Sequence, residues 1–206
     1  MIEPRYRTPD AAEWDALYGA AERVWSGEPN GALVAEVAEL EPGRALDVGC
    51  GEGADAVWLA RRGWQVTALD VSRVALDRAE HHARDAGVHV AWVHAGLVEA
   101  GLPAGSFDLV SAQYPVLRKT PGAVAEHTLV DLVAPGGMLL VVHHAIDPEH
   151  IHEGGFDPAL YALPADVATL LDTGWQIDVD ERRPRSVNGG GGAHHVLDLV
   201  LRARRR

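Results

Sequence analysis

A chain of 206 residues, 47% hydrophobic and 23% charged, is long enough to bury a full core in one domain. Lys plus Arg number 18 against 30 Asp plus Glu, a formal charge of −12, which argues against phosphate-backbone binding as the main task. The single cysteine, Cys50, excludes a disulfide framework and a multi-cysteine metal site, and no apolar run reaches the length of a membrane span.

The opening MIEPRYRTPD has no apolar signal core, so a cytoplasmic protein is the expectation. Asp10 is placed to cap a helix over residues 11–23, where Trp14, Leu17, Tyr18 and Ala21 fall at helical spacing. A turn at 27–31 leads to a second amphipathic helix over 32–40, closed by Pro42-Gly43. Residues 1–43 thus read as a helical preface, and 44–206 as the core of the same domain.

From Arg44 onward, strands over 45–48, 65–69, 89–94, 106–111 and 138–143 alternate with helices over 54–62, 73–86 and 123–133. Short apolar strands alternating with helices imply an α/β domain whose parallel sheet is covered on both faces. Segments 176–180 and 195–201 alternate polar with apolar residues and are joined by a glycine-rich connection, which predicts an antiparallel hairpin closing the sheet. The final Arg202, Arg204, Arg205 and Arg206 read as a frayed, solvated tail.

The first strand runs straight into alternating glycines, Leu46-Asp47-Val48-Gly49-Cys50-Gly51-Glu52-Gly53. Glycines permit positive φ and let backbone N–H groups approach a ligand, and the carboxyl edge of a parallel sheet is where ligands bind. Asp70 ends the second strand, placed to accept both hydroxyls of a ribose. Gly49-Cys50-Gly51-Glu52-Gly53-Ala54 also satisfies the dinucleotide pattern, so an NAD-binding oxidoreductase is one reading. Asp47 opposes it, because a carboxylate there repels a pyrophosphate but holds a cationic ligand.

This stretch resembles the first motif of the class I S-adenosylmethionine-dependent methyltransferases. Leu69-Asp70 is similar to their second motif, Ser106-Phe107-Asp108-Leu109-Val110 to their fourth strand, and Ala134-Pro135-Gly136-Gly137 to the turn into their fifth. Trp25-Ser26-Gly27-Glu28-Pro29-Asn30 is similar to the tellurite-resistance and thiopurine branch. The resemblance implies a Rossmann-like methyltransferase fold with a seven-stranded sheet and methyl transfer to a small-molecule acceptor, releasing S-adenosylhomocysteine. It implies a donor pocket of Asp47, Gly49, Cys50, Gly51, Gly53, Asp70, Val71, Gly96, Leu97, Ser111 and Trp25. The sequence departs from the family after the third strand, where an acid that bonds the adenine amino group is replaced by Ala95-Gly96-Leu97. A non-catalytic protein that binds the same nucleoside is a further reading.

On the acceptor side, Gln113 and Tyr114 follow the fourth strand, and Tyr114 is either an acceptor-orienting hydroxyl or a half-buried aromatic. His143 and His144 end the fifth strand; alternation sends them to opposite faces, so one at most enters the site, and His143 is the candidate base. His143, His144, His150 and His152 lack the helical His-x-x-x-His spacing of a preformed metal site, and no metal is expected. Residues 145–163 read as a loop shaping the acceptor pocket. Trp14, Tyr18 and Trp25 either cover the donor or pack the preface on the sheet, and Arg118-Lys119 either attracts an anionic acceptor or is solvated.

Overall fold

The computed structural model describes residues 10–145, 160–185 and 195–206. Two preface helices, α1 (Ala11–Gly19) and α2 (Gly31–Val37), precede the alternation β1 (Arg44–Val48), α3 (Ala54–Arg61), β2 (Gln65–Asp70), α4 (Arg73–Asp85), β3 (Ala91–His94) and β4 (Phe107–Gln113). Then follow α5 (Val124–Leu132), β5 (Val133–His144), α6 (Pro164–Ala168), β6 (Trp175–Pro184) and β7 (Leu197–Arg205). The strands form one seven-stranded sheet in the order β3-β2-β1-β4-β5-β7-β6, with β7 antiparallel to both β5 and β6. This is the Rossmann-like methyltransferase fold.

The near-continuous apolar strands bury both faces. Leu46, Val48, Val110, Leu139, Val141 and Leu201 pack with Leu129 and Leu132 of α5 and Val167 of α6. Ala45, Ala68, Leu109, Leu140, Val142 and Val200 pack with Leu33 and Val37 of α2 and Ala56 and Leu59 of α3. At roughly 25 cal/mol per Å² of apolar area removed from water, such two-sided burial is the main stabilising contribution.

Three expectations need correction. The first helix ends at Gly19, not Arg23, because the next turn is held from outside: Arg78 donates to the Tyr18 and Ala21 carbonyls, and Glu52 accepts from the Val24 and Trp25 amides. The short helix α6 went unforeseen; Pro164 opens it and Asp166 accepts from the Leu163 amide at 2.9 Å. Lys119 also reaches Asp166, at 2.8 Å.

The third correction concerns the arginine tail, which is strand rather than frayed chain. Ala203 is fully buried, Arg202 pairs with Glu36 at 2.9 Å, and Arg205 donates to the Val133 carbonyl at 2.6 Å. The ladder explains it: each residue from Val200 to Arg204 pairs with both β5 and β6, and the alternate residues Leu201 and Ala203 are buried in the core. Deleting residues 202–206 strips the partners of Met138–Leu140 and Trp175–Val179. The Tm measured by calorimetry is expected to fall by at least about 10 °C, whereas loss of a solvated tail leaves it unchanged.

Candidate functional site

β1 and β2 deliver two acids and a glycine loop to one end of the sheet. Gly49, Gly51 and Gly53 have φ of 70, 52 and 80°, a conformation that side-chain-bearing residues rarely adopt. The loop folds back onto β2, with the Gly49 and Cys50 amides both donating to the Leu69 carbonyl, at 2.9 and 3.0 Å. Asp70 ties the two strand ends together: its Oδ2 accepts from the Gly51 amide at 2.9 Å and its Oδ1 from the Ser72 amide at 2.8 Å. Burial raises the Asp70 carboxyl pKa against the pull of those amides.

Asp47 is 2% exposed, and among the described residues its Oδ2 accepts no hydrogen bond. Burial drives its pKa well above the ordinary carboxylate range, and the neighbouring Asp55 and Asp70 push it further. Asp55 is buried too, and accepts from the Asn30 amide and side chain, both at 2.7 Å. An unsatisfied buried carboxylate beside a loop of backbone N–H groups suits a ligand with a positive charge and disfavours a second anion.

The preface folds over this loop. The Trp25 indole donates to the Tyr18 hydroxyl at 2.9 Å, and a Cβ on Gly51 would lie 2.8 Å from that hydroxyl and 3.3 Å from the indole nitrogen. Glu52 accepts from Arg78 at 2.7 Å, which straps the 20–25 turn to α4. Asp15 of α1 accepts from the Ser72 hydroxyl at 2.6 Å and the Val74 amide at 3.1 Å, anchoring α1 on the first turn of α4. Trp14 packs on Tyr18, ring centres 6.2 Å apart.

Val71 and Gly96 come together across the ends of β2 and β3, with the Val71 side chain 3.7 Å from where a Gly96 Cβ would be; Leu97 is buried beneath them. The acid missing from 95–97 has a neighbour that the motif reading overlooked. Glu99, one turn on, folds its carboxylate back against Gly96. The signal was an acid three residues after a glycine, visible only once the turn closed by the Ala100 amide on the Gly96 carbonyl, at 3.0 Å, is known. Cys50 is a protonated filler: burial raises its thiol pKa well above the usual range, as do Asp47 and Asp70.

On the neighbouring strand, Ser111 is buried and its hydroxyl accepts from Gln113 Nε2 at 3.1 Å. Tyr114, at φ 52°, donates its hydroxyl to Asp198 Oδ2 at 2.9 Å and accepts from Arg185 Nε at 3.0 Å. His143 shares the face of Leu139 and Val141, whereas His144 shares that of Leu140 and Val142 and stacks on Tyr114 at 4.1 Å. His143 is 4% exposed, and burial lowers its pKa to about 4. His150, His152, most of the 145–163 loop and the glycine run 189–192 lie outside the described residues. An open groove of about 530 Å³, lined by Arg44, Trp64, Gln65 and His89, sits at the amino ends of the strands, away from this constellation.

The strand–glycine loop–helix unit and the strands after it match a family model described as a methyltransferase domain, over residues 45–137. An uncharacterised methyltransferase of Mycobacterium tuberculosis is 41% identical over 97 residues, 47% of this chain and 48% of that protein. A ubiquinone biosynthesis O-methyltransferase of Alkalilimnicola ehrlichii is 39% identical over 102 residues, 49% of this chain and 41% of that protein. The chain therefore spans about half the length of these curated relatives. The N-methyltransferase NodS of Bradyrhizobium japonicum, solved with S-adenosylhomocysteine, superposes with a TM-score of 0.71 at 21% identity, over 95% of this chain and 97% of that one. Among the described residues, no helix of the methyltransferase fold is long and apolar enough to cross a membrane.

Proposed function

We propose that the chain transfers a methyl group from S-adenosylmethionine to a small-molecule acceptor. The observation that carries this reading is the pair of buried acids flanking the glycine loop, Asp47 with an unsatisfied oxygen and Asp70 at the end of β2. Asp70 would accept the ribose hydroxyls, the loop amides would leave room for the ligand backbone, and Asp47 would balance its positive end. Gly51, Gly53, Val71, Gly96, Leu97, Ser111 and Trp25 would complete the pocket. When bound, the sulfonium supplies an activated methyl whose displacement neutralises the sulfur. The chain's task is then to orient the acceptor in line and exclude water, which the Tyr18–Trp25 cover over Gly51 favours.

The small-molecule branch is part of this proposal. It is supported by the charge of −12, which disfavours nucleic acid, and by Asn30, which ties the Trp25–Asn30 segment to Asp55 above the loop. An NAD reading would set a pyrophosphate beside Asp47 and Asp55. Thermal-shift titrations separate the two: S-adenosylhomocysteine is expected to raise the Tm and NAD to leave it unchanged. The reverse pattern would refute the donor assignment.

A proton signature accompanies donor binding. Asp47 titrates above the usual carboxylate range in the free protein, and a cationic ligand favours its ionised form. Binding should therefore release protons at mildly acidic pH, and affinity should rise with pH until the free carboxyl is itself ionised. Calorimetry in two buffers of different ionisation enthalpy measures the release. Asp47→Asn should abolish it; equal release in that variant would assign the proton elsewhere.

A further inference from the structure

We propose that the Tyr18 hydroxyl donates a hydrogen bond to the carboxylate at the amino-acid end of the methyl donor, which makes the preface a specificity element of that site. This rests on the donor reading above. It separates sulfur nucleosides that carry the carboxylate from those that have lost it.

The hydrogen bonds of the glycine loop create the need. The Gly49 and Cys50 amides donate to the Leu69 carbonyl, the Gly51 amide to Asp70 and the Gly53 amide to the Cys50 carbonyl at 2.9 Å. Among the described residues only the Glu52 amide of this stretch is uncommitted, one N–H for the two oxygens of a carboxylate. The charged side chains beside the loop, Asp47, Asp55 and Asp70, are acids, and Glu52 is already paired with Arg78. An anionic group brought here requires a further hydrogen-bond donor, because a buried charge without partners is costly.

Tyr18 is placed to supply it. Its hydroxyl is the nearest atom to the position a Gly51 Cβ would take, 2.8 Å away, and the residue is only 4% exposed. The Trp25 indole, which can only donate, gives its N–H to the hydroxyl oxygen at 2.9 Å, so the phenol's own proton remains to be given. Among the described residues no group accepts that proton. A hydroxyl buried this deeply is expected to use it. Burial and then the Asp70 charge push the phenol pKa up, so the group stays a neutral donor beside the acids. Accepting from the indole also polarises the O–H and strengthens it toward an anion.

The hydroxyl is held there from several sides. Arg78 donates to the Tyr18 carbonyl at 2.6 Å, and Asp15, one turn earlier on α1, accepts from the Ser72 hydroxyl and the Val74 amide. Glu52 accepts from the Trp25 amide at 3.0 Å and so fixes the residue whose indole orients the hydroxyl. A hydrogen-bond donor positioned before the ligand arrives costs little ordering when it binds. A ligand that keeps the amine but lacks the carboxylate still meets Asp47, yet it leaves the Tyr18 proton buried and unpaired.

The test is isothermal titration of the full chain with S-adenosylhomocysteine and with its decarboxylated analogue, S-adenosyl-3-thiopropylamine, which keeps the nucleoside, the thioether and the amine. The wild type should bind the analogue at least about 10-fold less tightly. Tyr18→Phe keeps the ring and loses the hydroxyl. It should weaken S-adenosylhomocysteine by about 10- to 100-fold and the analogue by less than about threefold, so that the preference disappears. Near-normal affinity for the analogue shows that the variant folds. A merely structural role would weaken both ligands equally, and that result overturns the proposal, as does a Tyr18→Phe chain that keeps the wild-type preference. A wild type that binds neither ligand refutes the donor reading itself, whereas one that binds both with a preference unmoved by Tyr18→Phe refutes the Tyr18 contact alone.

Discussion

Asp70→Asn is expected to weaken S-adenosylhomocysteine binding by about 100-fold while leaving the Tm of the free protein near that of the wild type. Two charge-assisted hydrogen bonds to ribose hydroxyls are at stake, each worth roughly 1.5–3 kcal/mol. The free protein tolerates the change because two effects oppose each other. The amide nitrogen of the new side chain faces a backbone N–H, from either Gly51 or Ser72. Against that, neutralising the group removes a carboxylate that burial already disfavours, as its raised pKa shows. Isothermal titration together with a melting curve separates loss of ligand contact from loss of fold. Asp77→Asn, on the exposed side of α4, is the control and should bind normally. A change of less than about threefold in Asp70→Asn would remove Asp70 from the ribose.

Gly53→Ala should lower stability by about 3 kcal/mol, a Tm drop of about 6–12 °C for a chain of this size. Two costs combine. The residue sits at φ 80°, where a Cβ is strained, and that Cβ would lie 2.7 Å from the Ala79 Cβ and 3.0 Å from the tip of Trp92. Ala79 is fully buried on α4 and its Cα is only 3.2 Å away, so no flexible side-chain end yields. Gly87→Ala isolates the backbone cost: φ is 67°, yet nothing lies within 4 Å of its Cβ, and about 1 kcal/mol is expected. Equal Tm losses in the two variants would mean that crowding between loop, α4 and β3 contributes nothing.

The contrast between these glycines shows what could be read from the residues alone. The alternation of 49, 51 and 53 and the spacing to Asp70 were legible, because a strand–loop–helix unit needs positive φ at fixed positions. The sheet was equally legible, since apolar strand runs and a polar-alternating pair at the end admit few topologies. Local patterns do not reveal what a group touches across the sheet. Arg205 looks like solvated charge until its guanidinium is seen on the Val133 carbonyl, and Asp198 is one polar residue among many in β7 until register sets it opposite His144. Spacing leaves Tyr114 as either an acceptor-orienting hydroxyl or a half-buried aromatic, and it does not reveal that the hydroxyl bonds to residues 71 and 84 positions away. The length of the first helix is hidden for the same reason: α1 stops where Arg78 takes the Tyr18 carbonyl and, beyond the helix, that of Ala21, contacts 57 to 60 residues distant.

A crystal structure with S-adenosylhomocysteine tests the central claim most directly. The account predicts the ribose hydroxyls on the Asp70 carboxylate and the amino-acid end over residues 49–53 on the side of Asp47. A nucleoside bound elsewhere, or a ribose that leaves Asp70 on the Gly51 and Ser72 amides alone, would contradict it.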